Sequence, residues 1–304
     1  MDNSGQRAFV VFNPKAGQQN QAEEVRAALV RHFTLPRWTL EIYETTGKED
    51  VAAICRAACE AGASLVISAG GDGTLVGVAN GLVHGSVPLG ILPLGTANFL
   101  ARALHIPFKL DEAVELMVGE HAIIEVDALQ VGGRCYFSNV SVGMSPKAVN
   151  ATRASDKRLF GRFAYLNAMV KQSTIFQLRR YVLGLDGRRR WIRASEVMIS
   201  NSTLMEKPSS LSGPPATLCD GQLEVYVVTA RTLSDYMRLV WDLFLRSGGP
   251  SAGLSHWTAR TSARIEAFRR SPLVQADGEV IGHTPVEVHL VPRAIHVIMP
   301  KAKP

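Results

Sequence analysis

The chain has 304 residues, 46% hydrophobic and 20% charged, with a formal net charge of +6. That length supports two domains with a core each, and no apolar run approaches the roughly 20 residues that a membrane-spanning helix needs. The first residues lack the apolar stretch of a secretory signal, and four cysteines with no regular spacing exclude a disulfide framework.

From the N-terminus, short apolar strands alternate with helical patterns. Strands are predicted at 8–12, 39–43, 65–68 and 89–92. A helix over 21–33 puts Val25, Leu29 and Phe33 on one stripe, and a second over 49–61 aligns Val51, Ile54 and Ala58. This rhythm predicts an α/β domain, a parallel sheet with helices on both faces. Cys55 and Cys59 fall one turn apart on the second helix without histidine partners, so buried, reduced thiols are expected rather than a metal site. A helix over 111–118, with Asp111 as its N-cap, closes the domain.

Past residue 121 the rhythm changes. Strand-like segments follow at 123–131, 134–140, 181–185, 191–200, 222–229, 256–268, 273–276, 286–290 and 295–299. Two helices interrupt them, around 157–176 and 233–246. Alternating patterns and frequent turns predict a mainly-β, sandwich-like second domain. The division falls at 1–125 and 126–293, with a last strand near 294–300 that can return to the first domain. Basic residues concentrate between Lys147 and Arg193, with a second group at Arg260, Arg264, Arg269 and Arg270. They form no nucleic-acid module, so no nucleic-acid partner is expected; the readings left are solvated faces or attraction to an anionic bilayer.

Three loops carry the chemistry. Gly70, Gly71, Asp72, Gly73 and Thr74 join the third strand to a helical run starting at Thr74. Glycine turns and helix starts present backbone N–H groups to a phosphate. Asp72 is the odd member: its charge repels a phosphate unless a metal ion or a transferable proton intervenes, which points to phosphoryl chemistry. Asn13-Pro14-Lys15-Ala16-Gly17 follows the first strand, and Leu94-Gly95-Thr96-Ala97-Asn98 follows the fourth. In an α/β sheet, ligands bind where such strand ends meet. The P-loop signature is absent, and the glycine spacing does not fit a dinucleotide fingerprint.

In this order and spacing the three loops resemble the diacylglycerol kinase catalytic domain family, lipid kinases that include sphingosine kinases and soluble bacterial diacylglycerol kinases. The middle motif alone also resembles NAD kinases. Residues 137–143 resemble the opening of that family's second domain, and Asp277-Gly278-Glu279 its late Asp-Gly-Glu motif. The resemblance implies an ATP-binding domain, a β-rich domain, an active site in the cleft between them, and Mg2+ accompanying ATP. It implies nucleotide contacts from Asn13, Pro14, Gly17, Gly70, Gly71, Asp72, Gly73, Thr74, Gly95, Thr96 and Asn98, and from Thr45 or Thr46. Asp277 is then the general base, with Glu279 and Asp72 as alternatives. It also implies a structural Mg2+ site at Thr217, Asp220 and Gln222, weakened because threonine stands at 217 where relatives carry a carboxylate. Segment 204–213 lacks the glycine cluster of many relatives.

The helix over 156–176 aligns Leu159, Phe163, Leu166 and Val170 with flanking Arg158, Arg162 and Lys171. It suits core packing or a place at the bilayer surface. The expected partner is a lipid substrate at a membrane surface, met transiently from the cytoplasm, with a homodimer left open. Two other functions stand beside lipid kinase: a kinase for a soluble metabolite such as NAD, and a nucleotide- or lipid-binding regulator without turnover, which Thr217 and segment 204–213 motivate.

Overall fold

The computed structural model describes residues 5–17, 21–34, 36–144, 177–202, 216–245 and 253–301. The helix expected over 156–176 and segment 204–213 lie outside them. The chain divides into two compact units, one formed by 1–127, 211–219 and 292–304, the other by 128–210 and 220–291.

In the first unit, β1 (Gln6–Phe12), β2 (Trp38–Glu44), β3 (Leu65–Gly70) and β4 (Leu89–Pro93) form a parallel sheet in the order β2-β1-β3-β4. Every residue of β3 and β4 is buried, the signature of strands covered on both faces. Helices α1 (Gln21–His32) and α5 (Leu110–Val118) cover one face, packing Val25, Leu29, Val114 and Met117 against Ala8, Val10, Phe12 and Ile67. Phe9 points the other way, beside Ile54, Ala57 and Ala58 of α2 (Val51–Glu60). Against α2 lies α3 (Asp72–Leu82), where Gly77 and Gly81 let its backbone approach Val51 and Cys55. A short α4 (Phe99–Ala103) follows β4.

Two helix starts differ from expectation. Lys109, not Asp111, is the N-cap of α5; Asp111 sits in the first turn with its carboxylate 2.8 Å from Arg31 of α1. α3 begins at Asp72, two residues ahead of Thr74, because Gly71 turns directly from the strand into the helix.

The second unit is antiparallel. One sheet runs β12 (Leu254–Ala259), β11 (Leu223–Val228), β10 (Glu196–Ser200), β7 (Asn139–Val142), β14 (Leu273–Ala276), β15 (Glu279–His283). The other holds β13 (Ser262–Ala267), β8 (Arg179–Leu185) and β9 (Arg188–Ala194), with β13 also pairing the start of β16 (Val286–Met299). β5 (Ala122–Val131), which begins in the first unit, forms a hairpin with β6 (Arg134–Tyr136), and helix α6 (Leu233–Leu245) follows β11. Later in β16, within the first unit, Val297 pairs in parallel with Leu89. The sequence thus encodes an N-terminal α/β domain and a C-terminal antiparallel, sandwich-like β domain. Among the described residues no helix is long and apolar enough to cross a membrane.

Two of the strand breaks have a common reason. Segments 134–140 and 256–268, each expected as one strand, are broken at 137–138 and 260–261. There the backbone N–H groups donate to Asp277 and to Asp186 instead of to a ladder partner. Segment 191–200 also splits, at Ser195, whose N–H donates to Val228. Segments 286–290 and 295–299 join into one strand.

Candidate active site

Because β1, β2, β3 and β4 are parallel, their C-terminal ends share one edge of the sheet. β1 leads outward to β2 and β3 returns on its other side, so the chain reverses direction in the sheet between β1 and β3. Such a switch point opens a crevice where the two following loops part. Asn13–Gly17 leaves from β1 there, and Gly71–Thr74 from β3.

These loops are tied to each other. The Asn13 amide donates to the Thr74 hydroxyl at 3.3 Å, and its own side-chain oxygen accepts from the Lys15 N–H. Thr45, buried at the end of β2, donates its N–H to Phe12. Asp72 accepts from the N–H groups of Asn98 (2.9 Å) and Phe99 (2.8 Å), so its carboxylate satisfies the first turn of α4. Asn98 is buried in a left-handed conformation, and its side chain bonds both the N–H and the carbonyl of Gly95. A Cβ on Gly95 would lie 2.6 Å from the Gly71 Cα, so the β3 and β4 loops touch backbone to backbone. No side chain caps α3 at Gly71. Its first N–H groups and the positive end of its dipole are therefore available to an anion. Thr96 and Gly73 are exposed on these loops, while Pro14 is half-buried.

Glu49 belongs to the same edge and escaped the sequence reading. Its carboxylate accepts from the N–H groups of Thr46, Gly47 and Lys48, fixing the turn between β2 and α2. Bonds from Thr46, side chain first and then backbone, push its pKa down to about 2. The Thr46-x-x-Glu49 spacing, a capping-box pattern, was the available signal.

The remaining candidates lie in the second unit. Asp277 and Gly278, both at positive φ, form the two-residue turn joining β14 to β15. The Asp277 carboxylate accepts from three successive N–H groups, of Phe137 (2.7 Å), Ser138 (2.9 Å) and Asn139 (2.9 Å). Buried Gln275 extends the lock, donating to Asn139 and Ser141 and accepting from the Gly278 N–H. The same device recurs at Asp186-Gly187, where Asp186 gathers the N–H groups of Arg260, Thr261 and Ser262. Burial opposes the charge on Asp186, yet those bonds and the Thr261 hydroxyl outweigh it and hold the carboxyl far below its usual range. Asp277 thus has a structural task that its motif did not disclose. Half-buried Glu279 makes no hydrogen bond or ion pair among the described residues. Burial pushes up the nearby Tyr136 phenol; Arg134 pulls against that shift, and Glu279 and Asp277 add to it.

The proposed metal ligands form a third group. Asp220 accepts from the Gln222 N–H at 2.9 Å in the turn entering β11, and Thr217 lies on the preceding 3-10 turn, Ala216–Cys219. Among the described residues no three His, Cys, Asp or Glu side chains are grouped to hold a metal. One carboxylate, already accepting a hydrogen bond, is a poor fit for a dedicated hard-cation site. Burial pushes the Cys55 thiol up to about 12.

Known proteins match along nearly the whole chain. The family described as diacylglycerol kinase catalytic domain matches residues 7–131, and the one described as YegS C-terminal NAD kinase beta sandwich-like domain matches 138–299. A diacylglycerol kinase of Bacillus subtilis is 25% identical, over 98% of this chain and 97% of its own. A probable lipid kinase YegS-like of Serratia proteamaculans is 32% identical over 74% of each chain. The solved structure of a diacylglycerol kinase from Bacillus anthracis shares the fold with a TM-score of 0.71 at 22% identity, covering 98% of both chains. The chain belongs to the diacylglycerol kinase catalytic domain family.

Proposed function

We propose that this protein transfers the γ-phosphoryl group of ATP to the hydroxyl of a lipid such as diacylglycerol or a sphingoid-like lipid. The reading rests on the C-terminal edge of the first unit's sheet, where the β1 and β3 loops flank the switch point, Gly71 meets Gly95 of the β4 loop without side chains between them, and α3 starts uncapped. Nucleotide phosphates are assigned to the N–H groups of Gly71–Thr74, with the exposed hydroxyl of Thr96 beside them. Asp72 and Asn98 act by shaping that cradle, since both are engaged in holding the β4 loop to α3. Mg2+ arriving with ATP would offset the charge that builds on the phosphates.

A hydroxyl acceptor must also lose a proton. Asp277 is occupied by three N–H groups, and Glu279 is not. We therefore assign Glu279 to the proton and Asp277 to fixing the loop at 137–139. The decisive experiment incubates the purified chain with γ-labelled ATP, Mg2+ and, separately, diacylglycerol, a sphingoid base and NAD. Label in a lipid extract supports the reading. Label in NAD alone, or in nothing, defeats it.

A further inference from the structure

We propose that the hairpin of β8 and β9 is a docking surface for an anionic lipid bilayer. β9 ends its sheet among the described residues, so its outer edge has no strand partner. The hairpin register divides its side chains cleanly. Tyr181, Leu183 and Leu185 face the core, whereas Arg180 and Val182 of β8 share the other face with Arg189, Trp191 and Arg193 of β9. On that outer face Trp191 is 67% exposed and meets Phe268, 52% exposed, edge to face at 5.7 Å. Arg269 lies over Phe268.

Charge is what identifies the occupant. Residues 179–194 hold six arginines, of which Arg180, Arg189 and Arg193 lie on the outer face and Arg179, Arg188 and Arg190 on the face of Tyr181, Leu183 and Leu185; the one acid, Asp186, has its carboxylate consumed by the loop at 260–262. None of the six makes a salt bridge among the described residues. Elsewhere Arg7, Arg26, Arg31, Arg264 and Arg293 each reach a carboxylate. By register the same face continues onto β13 and β16 with Arg264, Glu266 and Glu287, and Arg264 engages both of those acids. Unpaired positive charge and exposed aromatic surface therefore coincide on one strand edge.

Arginines alone could merely guard an edge strand against pairing with another chain. They do not account for Trp191 and Phe268, which would leave water at a lipid–water boundary, the setting that tryptophan favours. Single-stranded nucleic acid is held by a series of aromatic faces on which successive bases stack, and here the aromatic surface is one edge-to-face pair. The surface suits a headgroup layer of negative charge, with the aromatic pair entering it and the arginines at phosphate level.

The test is vesicle binding by the full chain without ATP, so that its outcome stands apart from whether the kinase reading holds. Co-sedimentation should be strong with phosphatidylglycerol-containing vesicles, weak with pure phosphatidylcholine, and reduced by salt. Arg189→Gln with Arg193→Gln should weaken binding roughly 30-fold, about fivefold for each arginine. Trp191→Ala should cost on the order of tenfold, while Trp191→Phe keeps binding and abolishes quenching of the Trp191 fluorescence by brominated lipid. Circular dichroism of the variants should match the parent, and turnover on a short-chain acceptor dispersed in detergent should persist if the chain is a kinase. Three results each overturn the proposal: no preference for anionic vesicles, variants that bind as the parent does, or tighter binding of single-stranded DNA through the same arginines.

Discussion

Gly95→Ala tests whether the backbone contact between the β3 and β4 loops builds the site. The added Cβ would sit 2.6 Å from the Gly71 Cα and 2.8 Å from the Asn98 side-chain oxygen. Neither is the free end of a flexible chain, since Gly71 is backbone and Asn98 is buried and bonded on both sides. Relief of the overlap requires the loops to part by about 1 Å. Overpacking of this kind costs about 1–3 kcal/mol, which lowers Tm by about 1.5 °C for each kcal/mol in a chain of 304 residues. Phosphotransfer should suffer more, falling about 100-fold, because a misplacement near 1 Å is enough to spoil in-line geometry. The assay is initial-rate transfer from labelled ATP to diacylglycerol, with calorimetry on the same samples. Gly133→Ala is the control, since its Cβ would meet no atom within 4 Å. A Gly95→Ala enzyme that keeps both parental rate and parental Tm refutes the reasoning.

The other expectations are narrower. Asp277→Asn turns an amide toward the Phe137 N–H and should lose about 1–3 kcal/mol in urea unfolding, with activity falling as the loop loosens. Glu279→Gln should leave stability within about 0.5 kcal/mol and slow transfer by at least about 100-fold; a full rate in that variant would return the proton to Asp277. Glu49 has a pKa lowered from 4.5 to about 2, so its contribution is complete above 4.5 and disappears as pH falls through about 2. The Tm gap between the parent and Glu49→Gln should therefore close between pH 5 and pH 2, and a gap that persists at pH 2 contradicts the assignment. Under native conditions at pH 8 a thiol reagent should label exposed Cys219 first and leave Cys55 unmodified, because burial raises the Cys55 pKa to about 12; mass spectrometry of the digest reads the site directly.

Much of the first unit was legible because its signals are local. Continuous apolar runs at 65–68 and 89–92 lie in wholly buried strands, and the stripe of Val25 and Leu29 packs where its period indicates. The three glycine loops were visible for the same reason, each lying between a strand and a following helix or turn. The strand breaks were harder. An apolar pattern cannot show that the N–H groups at 137–139 and 260–262 will be claimed by carboxylates 138 or more residues away in one case and 74 or more in the other.

By itself the sequence determined the two-part class of the fold, the parallel rhythm of the first unit and the place of the three loops that follow β1, β3 and β4, all properties that neighbouring residues express together. Only the tertiary structure decided what the individual acids do. Asp72 holds the start of α4, Asp277 and Asp186 lock distant loops, and Glu279 is left uncommitted. It also gathered Trp191, Phe268 and unpaired arginines on one edge. A carboxylate's role depends on which donors surround it, and a surface on which residues meet from separate strands. Both are set by how the chain returns on itself.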